Sequence, residues 1–129
     1  MTPDQIAKSS EHSQQAAFFC WCANESKNFP ALSFAFAIPN GGERNKVQAS
    51  RLKAEGVKPG VPDVFFPYQS KGYNGLWLEF KKPGVENTKN GGLKPAQVDY
   101  RDYLQSQNYL HKVVYNWLQA AETVVSYVS

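Results

Sequence analysis

Apolar and polar residues alternate between positions 61 and 81 in the manner of an extended chain. Val61-Pro62-Asp63-Val64-Phe65-Phe66 and Leu76-Trp77-Leu78-Glu79-Phe80-Lys81 are two runs of strand composition. The residues between them include Gly72, Asn74 and Gly75, which supply the positive φ that a tight turn needs, so a β-hairpin is predicted. Strand side chains have a period of two, so Leu78 and Phe80 share one face while Trp77, Glu79 and Lys81 share the other. A carboxylate and an ammonium on one face of a buried strand are costly unless each has a partner.

The same patterning orders the rest of the chain. Thr2 with Pro3 marks a short opening helix, and a second helix is expected over residues 10–27. Ala16, Phe18, Phe19, Cys20, Trp21, Cys22 and Ala23 go nearly all round that second helix, which implies burial on several sides. Glu11, Gln15, Phe18 and Cys22 form one stripe along it. Residues 32–38 alternate large and small as a strand, and Pro39-Asn40-Gly41-Gly42 ends it. Residues 44–55 read as a helix with Gly56 beyond its end, its small residues Ala49, Ser50 and Ala54 suited to close packing. Residues 84–92 read as a mobile linker. A helix from Pro95 to about position 107, a strand over 109–115 and a helix over 117–128 capped by Asn116 complete the chain. Helices and strands in this order predict an α/β domain with a central mixed sheet flanked by helices, a single domain over 1–129.

Pairing across the hairpin brings candidate chemistry together. A turn centred near Gly72 sets Asp63 opposite Glu79 to Lys81, with directly opposed Cβ atoms about 4.5–5.5 Å apart. Two carboxylates at that separation can converge on a hard divalent cation such as Mg²⁺. Glu-x-Lys alone has little specificity and is usually a solvated salt-bridge face. The full set, Pro62-Asp63 followed by Glu79-Phe80-Lys81, resembles the signature of the PD-(D/E)XK nuclease superfamily. Residues 56–63 and Pro39-Asn40-Gly41-Gly42 resemble more narrowly its VRR-NUC branch, in the stand-alone form of phage or prophage type. The likeness extends from Glu11 to about Val125. It implies the PD-(D/E)XK nuclease fold, a core of the order α-β-β-β-α-β with one helix inserted after the first strand.

The resemblance also assigns roles. It implies Mg²⁺ or Mn²⁺ held by Asp63, Glu79, the Phe80 main-chain carbonyl and Glu11. Lys81 would orient the attacking water, stabilise the transition state or act as base. Gln15 and Gln97 would be orienters behind the ligands, because amides are weak ligands beside carboxylates. A small polar residue is usual before the proline of that helix, and Lys94 stands there instead. From the residues alone, Glu11 is equally a dipole-compensating acid at a helix start.

Composition adds bounds. The 129 residues are 42% hydrophobic and 14% aromatic, enough for a packed core. No apolar run reaches the ~18 residues of a membrane span and no export signal is evident, so a cytoplasmic protein without membrane association is expected. Cys20 and Cys22, two apart on a helix, are expected to be reduced core thiols. His12 and His111 read as packed or exposed rather than ligating. Net charge is only +3, but basic residues flank the acidic pair. Arg44, Lys46, Arg51, Lys53 and Lys58 precede it and Lys82 follows, a distribution suited to a phosphate backbone. The expected activity is metal-dependent endonucleolytic hydrolysis of DNA, selective for branched substrates such as four-way junctions and carried out by a homodimer. Tyr100, Tyr103, Tyr109 and Trp117 are candidates for its interface or for the core. The alternatives are a nucleic-acid-binding module that does not cut and an RNA-cleaving enzyme of the same fold. No aromatic motif of single-strand RNA readers appears to separate them.

Overall fold

The computed structural model describes residues 10–39 and 45–129. The expected opening helix, the turn at 40–42 and Arg44 lie outside the described residues.

The first helix, α1 (Glu11–Glu25), starts where Ser10 Oγ accepts the Ser13 N–H at 3.1 Å, satisfying an amide that the helix leaves unpaired. Its buried residues are Gln14, Phe18 and Cys22, a single stripe. Burial on several sides is therefore not found: Ala16, Cys20 and Ala23 are exposed, while α1 packs on the sheet, the last helix and the 3-10 helix that follows it. Cys22 is a core thiol, held up at about 12 by desolvation, whereas Cys20 faces solvent.

The strand expected over 32–38 is largely a 3-10 helix, Pro30–Phe34, leaving β1 only Phe36–Ala37. Pro30 sits at its start, and Ser33 Oγ donates to the Pro30 carbonyl at 2.8 Å. Such local bonds compete with strand pairing. Helix α2 (Lys46–Ala54) is capped by Asn45, whose Oδ1 accepts the Gln48 N–H at 2.8 Å, and it ends at Gly56 with φ +97°. None of its residues is buried, so Ala49, Ser50 and Ala54 do not mediate close packing.

The hairpin forms as β2 (Val64–Phe66) and β3 (Leu76–Phe80), antiparallel with Val64 opposite Leu78. Lys71 and Gly72, at φ +54° and +83°, make its two-residue turn between Ser70 and Tyr73. The segment expected to be mobile is a run of hydrogen-bonded turns with a 3-10 helix, Lys89–Gly92, tied down where Tyr115 Oη donates to the Gly91 carbonyl at 2.8 Å. Helix α3 (Pro95–Ser106) then crosses to β4 (Leu110–Val114), which pairs parallel with β3. Asn108, at φ +63°, closes α3, and the Tyr109 N–H reaches back to the Leu104 carbonyl at 3.1 Å. The last helix, α4 (Trp117–Val128), is capped by Asn116 Oδ1 on the Gln119 N–H at 2.8 Å.

The sheet order is β1-β2-β3-β4, a mixed sheet in an α/β fold. One face carries Val64, Phe66, Leu76, Leu78, Phe80 and Val114 against α1 and α4, and this is the hydrophobic core. Gln14 Oε1 accepts the Trp117 N–H at 2.7 Å, fastening α1 to the start of α4. The opposite face carries Phe65, Trp77, Glu79 and His111, with α3 lying over β4. Glu79 and Lys81 are thus carried on the face turned away from the core. Among the described residues no helix is long and apolar enough to cross a membrane.

Candidate active site

Asp63 lies one residue before β2, and the antiparallel register continues to set it against Glu79. Its Oδ2 accepts the Phe80 N–H at 2.8 Å, which locks the carboxylate onto β3. Glu79 is 1% exposed, and its Oε1 has no hydrogen-bond partner. Burial pushes the Glu79 carboxyl far above its ordinary range; the hydrogen bond with Asp63 and the Asp63 charge push it the same way, Lys81 opposes and Glu11 adds slightly. Two carboxylates set against each other across the strands are a like-charge arrangement held by the fold. Lys81 is 7% exposed, and the one ion pair among the described residues, Arg101 with Asp102 at 3.0 Å, does not involve it.

Asp63, Glu79 and Lys81 open into a cleft of about 820 Å³. Its walls are α2, the loop 57–61 and the start of α3, with Glu11 of α1 at its margin. Gly60 fixes that loop. At φ +88°, a Cβ there would stand 2.3 Å from the Ala96 carbonyl oxygen, so the loop backbone lies directly on the first turn of α3.

No family model matches the chain, and no curated protein does. A solved structure named as a VRR_NUC domain protein is 24% identical to it, covering 93% of this chain and 88% of that one, with a TM-score of 0.74. The fold is that of a VRR-NUC domain. In this VRR-NUC fold the two carboxylates lie on the hairpin and the cleft lies between α2 and α3.

The residues singled out from sequence are distributed unevenly around that cleft. Asp63, Glu79, Phe80, Lys81, Glu11, Lys53, Lys58 and Gln97 line it. Lys46, Arg51 and Lys82 are exposed outside the lining, and half-buried Gln15 is not part of it either. Gln97 is committed elsewhere: its Oε1 accepts the Lys94 N–H at 2.8 Å, capping α3 in place of the small polar residue that Lys94 replaces. The Lys94 side chain is left to line the cleft. Gln14, rather than Gln15, is the buried amide of α1. His12 is exposed; His111 is buried and lowered to about 4, by burial first and then by the Arg101 charge.

The donor set suits a hard cation in part. Asp63 and Glu79 lie within hydrogen-bonding reach of each other, and Glu79 Oε1 is an acceptor shielded from water and unpaired. Glu11 shares the cleft, but among the described residues no three His, Cys, Asp or Glu stand close enough to hold one ion together.

Proposed function

We propose that this chain is an endonuclease that hydrolyses DNA phosphodiester bonds with Mg²⁺ or Mn²⁺ and selects branched substrates such as four-way junctions. One observation carries the reading: Glu79, 1% exposed with Oε1 unpartnered, stands against Asp63 and beside buried Lys81 in a lysine-lined cleft. The likeness to a protein named for its VRR_NUC domain supports it. Asp63 and Glu79 would hold the cation with the Phe80 carbonyl, Glu11 adding its negative charge from the same cleft, and a bound cation would activate water and offset charge growing on the phosphate.

The chain's own residues do the positioning. Lys81, buried and in none of the ion pairs among the described residues, holds an anionic phosphate oxygen or the attacking water at the cleft floor. Lys53, Lys58 and Lys94 bind neighbouring phosphates from the two walls, and Lys46, Arg51 and Lys82 extend that contact outside the cleft. Gln97 positions the start of α3 rather than touching substrate. Two such sites related by a two-fold axis would give paired cuts at a junction, so the active form is a homodimer.

The test is cleavage of linear, nicked, flapped and four-way DNA with and without EDTA. Activity should require the divalent cation and fall at least about 100-fold in Asp63→Asn and Lys81→Ala. Full activity in EDTA or in Asp63→Asn would overturn the cation site at Asp63 and Glu79, and cleavage of none of the substrates with the cation present would overturn the nuclease reading. Equal rates on linear and four-way DNA would remove the junction preference alone.

A further inference from the structure

The sheet face that carries the carboxylates also carries a continuous aromatic row that the cleavage chemistry does not use. Phe36 of β1 meets Phe65 of β2 edge-on, with ring centroids 5.8 Å apart. Phe65 lies against Trp77 of β3 at 4.4 Å and 32°. Trp77 and Phe65 each meet Tyr109, just before β4, at 6.4 and 5.8 Å. The row therefore crosses the sheet from its β1 edge. Phe65 follows Asp63 by two residues and Trp77 precedes Glu79 by two, so strand geometry puts the row about 7 Å from the carboxylate pair, on the same face.

Two features set this row apart from the core on the other side of the sheet. Its β1 end is open: Phe36 is 47% exposed, and Phe34 nearby in sequence is 70% exposed. Trp77 Nε1, within the row, is shielded from solvent and has no acceptor. An exposed Phe36 ring at the end of an aromatic row, on the sheet face that carries the carboxylates, has the chemistry of a nucleobase stacking surface. Phe36 lies one strand beyond Phe65, so it stands about 8–12 Å from the carboxylates, and at about 3.4 Å per stacked nucleotide it reaches a base within two to four positions of the scissile phosphate.

We infer that the Phe36–Phe65–Trp77–Tyr109 row receives an unpaired nucleobase near the scissile phosphate, with Phe36 as the open stacking surface. This rests on the nuclease reading and deepens it, because splayed bases are available at branch points and not in continuous duplex. Selectivity for branched DNA then arises from the bases near the cut.

The test compares a fluorescent single strand of about twelve thymidines with an abasic strand of the same length. Both are titrated against the full chain in EDTA, where nothing is cut, and read by anisotropy. The base-bearing strand should bind about 5- to 100-fold more tightly. Phe36→Ala should abolish that ratio without weakening the abasic strand, and Phe36→Tyr should keep it. Phe36 is half-exposed on an edge strand, so folding is not at stake. Equal affinity for the two strands, or an unchanged ratio in Phe36→Ala, overturns the stacking assignment while leaving the nuclease reading intact. An unchanged ratio together with conversion of a dimer to a monomer in light scattering would give this face to a second copy instead. Absence of binding to either strand overturns both readings.

Discussion

Replacing Glu79 by Gln should stabilise the protein when no divalent cation is present, although it removes a residue at the centre of the site. Glu79 is 1% exposed, faces Asp63 and has an unpartnered Oε1, and its carboxyl is raised well above the 4.5 of a free glutamate. A group whose folded pKa lies above its unfolded value contributes stability that is complete below the unfolded pKa and is lost as pH rises towards the folded value. At pH 8 the unfolded chain has released the proton and the folded chain must retain it or bury an uncompensated charge, a cost of roughly 3–5 kcal/mol. Glutamine has nearly the same shape and no proton to lose. Unfolding entropy near 2.1 cal/mol/K per residue, over 129 residues, converts about 3 kcal/mol into a rise in Tm of roughly 11 °C. Near pH 4 the gap should close, because glutamate is protonated in both states. Cation should nearly close that gap: at about 100 times its Kd, Mg²⁺ adds about 2.7 kcal/mol, or roughly 10 °C, to the wild type and little to Glu79→Gln. Thermal melts at pH 4 and pH 8, in EDTA and in Mg²⁺, supply every arm. A Glu79→Gln protein less stable than wild type in EDTA at pH 8, or an equal Mg²⁺ response in both, would refute the reasoning.

Glu11→Gln should lower the Mg²⁺-induced rise in Tm and the cleavage rate a few-fold, whereas His12→Ala, its exposed neighbour, should change neither; equal and negligible effects would return Glu11 to a helix-dipole role. His111, lowered from 6.5 to about 4, is a depressed group, so the stability it contributes is complete above 6.5 and is lost as pH falls towards 4. That loss is about 3 kcal/mol, and urea unfolding of His111→Leu should show a flatter dependence between pH 6.5 and 4 than the wild type does. Gly60→Ala puts a Cβ into the Ala96 carbonyl at a positive φ, and should cost roughly 1–3 kcal/mol in denaturant melts and reduce cleavage by displacing the loop from α3.

The hairpin was legible because its information is local. Alternation with period two decides which face Glu79 and Lys81 share, and a two-residue turn at Lys71-Gly72 decides that Asp63 meets Glu79. The order of helices and strands was equally readable, since Ser10, Asn45 and Asn116 cap the helices that follow them. Solvation was not legible in the same way. The apolar residues of α1 could have been buried all round, and only its docking on the sheet and α4 exposes Ala16, Cys20 and Ala23. Residues 32–38 have strand composition, but a strand needs a partner, and local bonds from Pro30 and Ser33 took most of them.

For the site, sequence alone determined which charged residues share one face of the hairpin, because strand periodicity is a property of neighbouring residues. Only the tertiary structure decided that Glu79 is sealed from water with an unpaired oxygen, that Gln97 caps α3 while Lys94 enters the cleft, and that Phe36, Phe65, Trp77 and Tyr109 form one row. Burial, desolvation and cross-strand contact depend on which segments distant in sequence come to lie against one another, and a linear pattern of residue types does not carry that information.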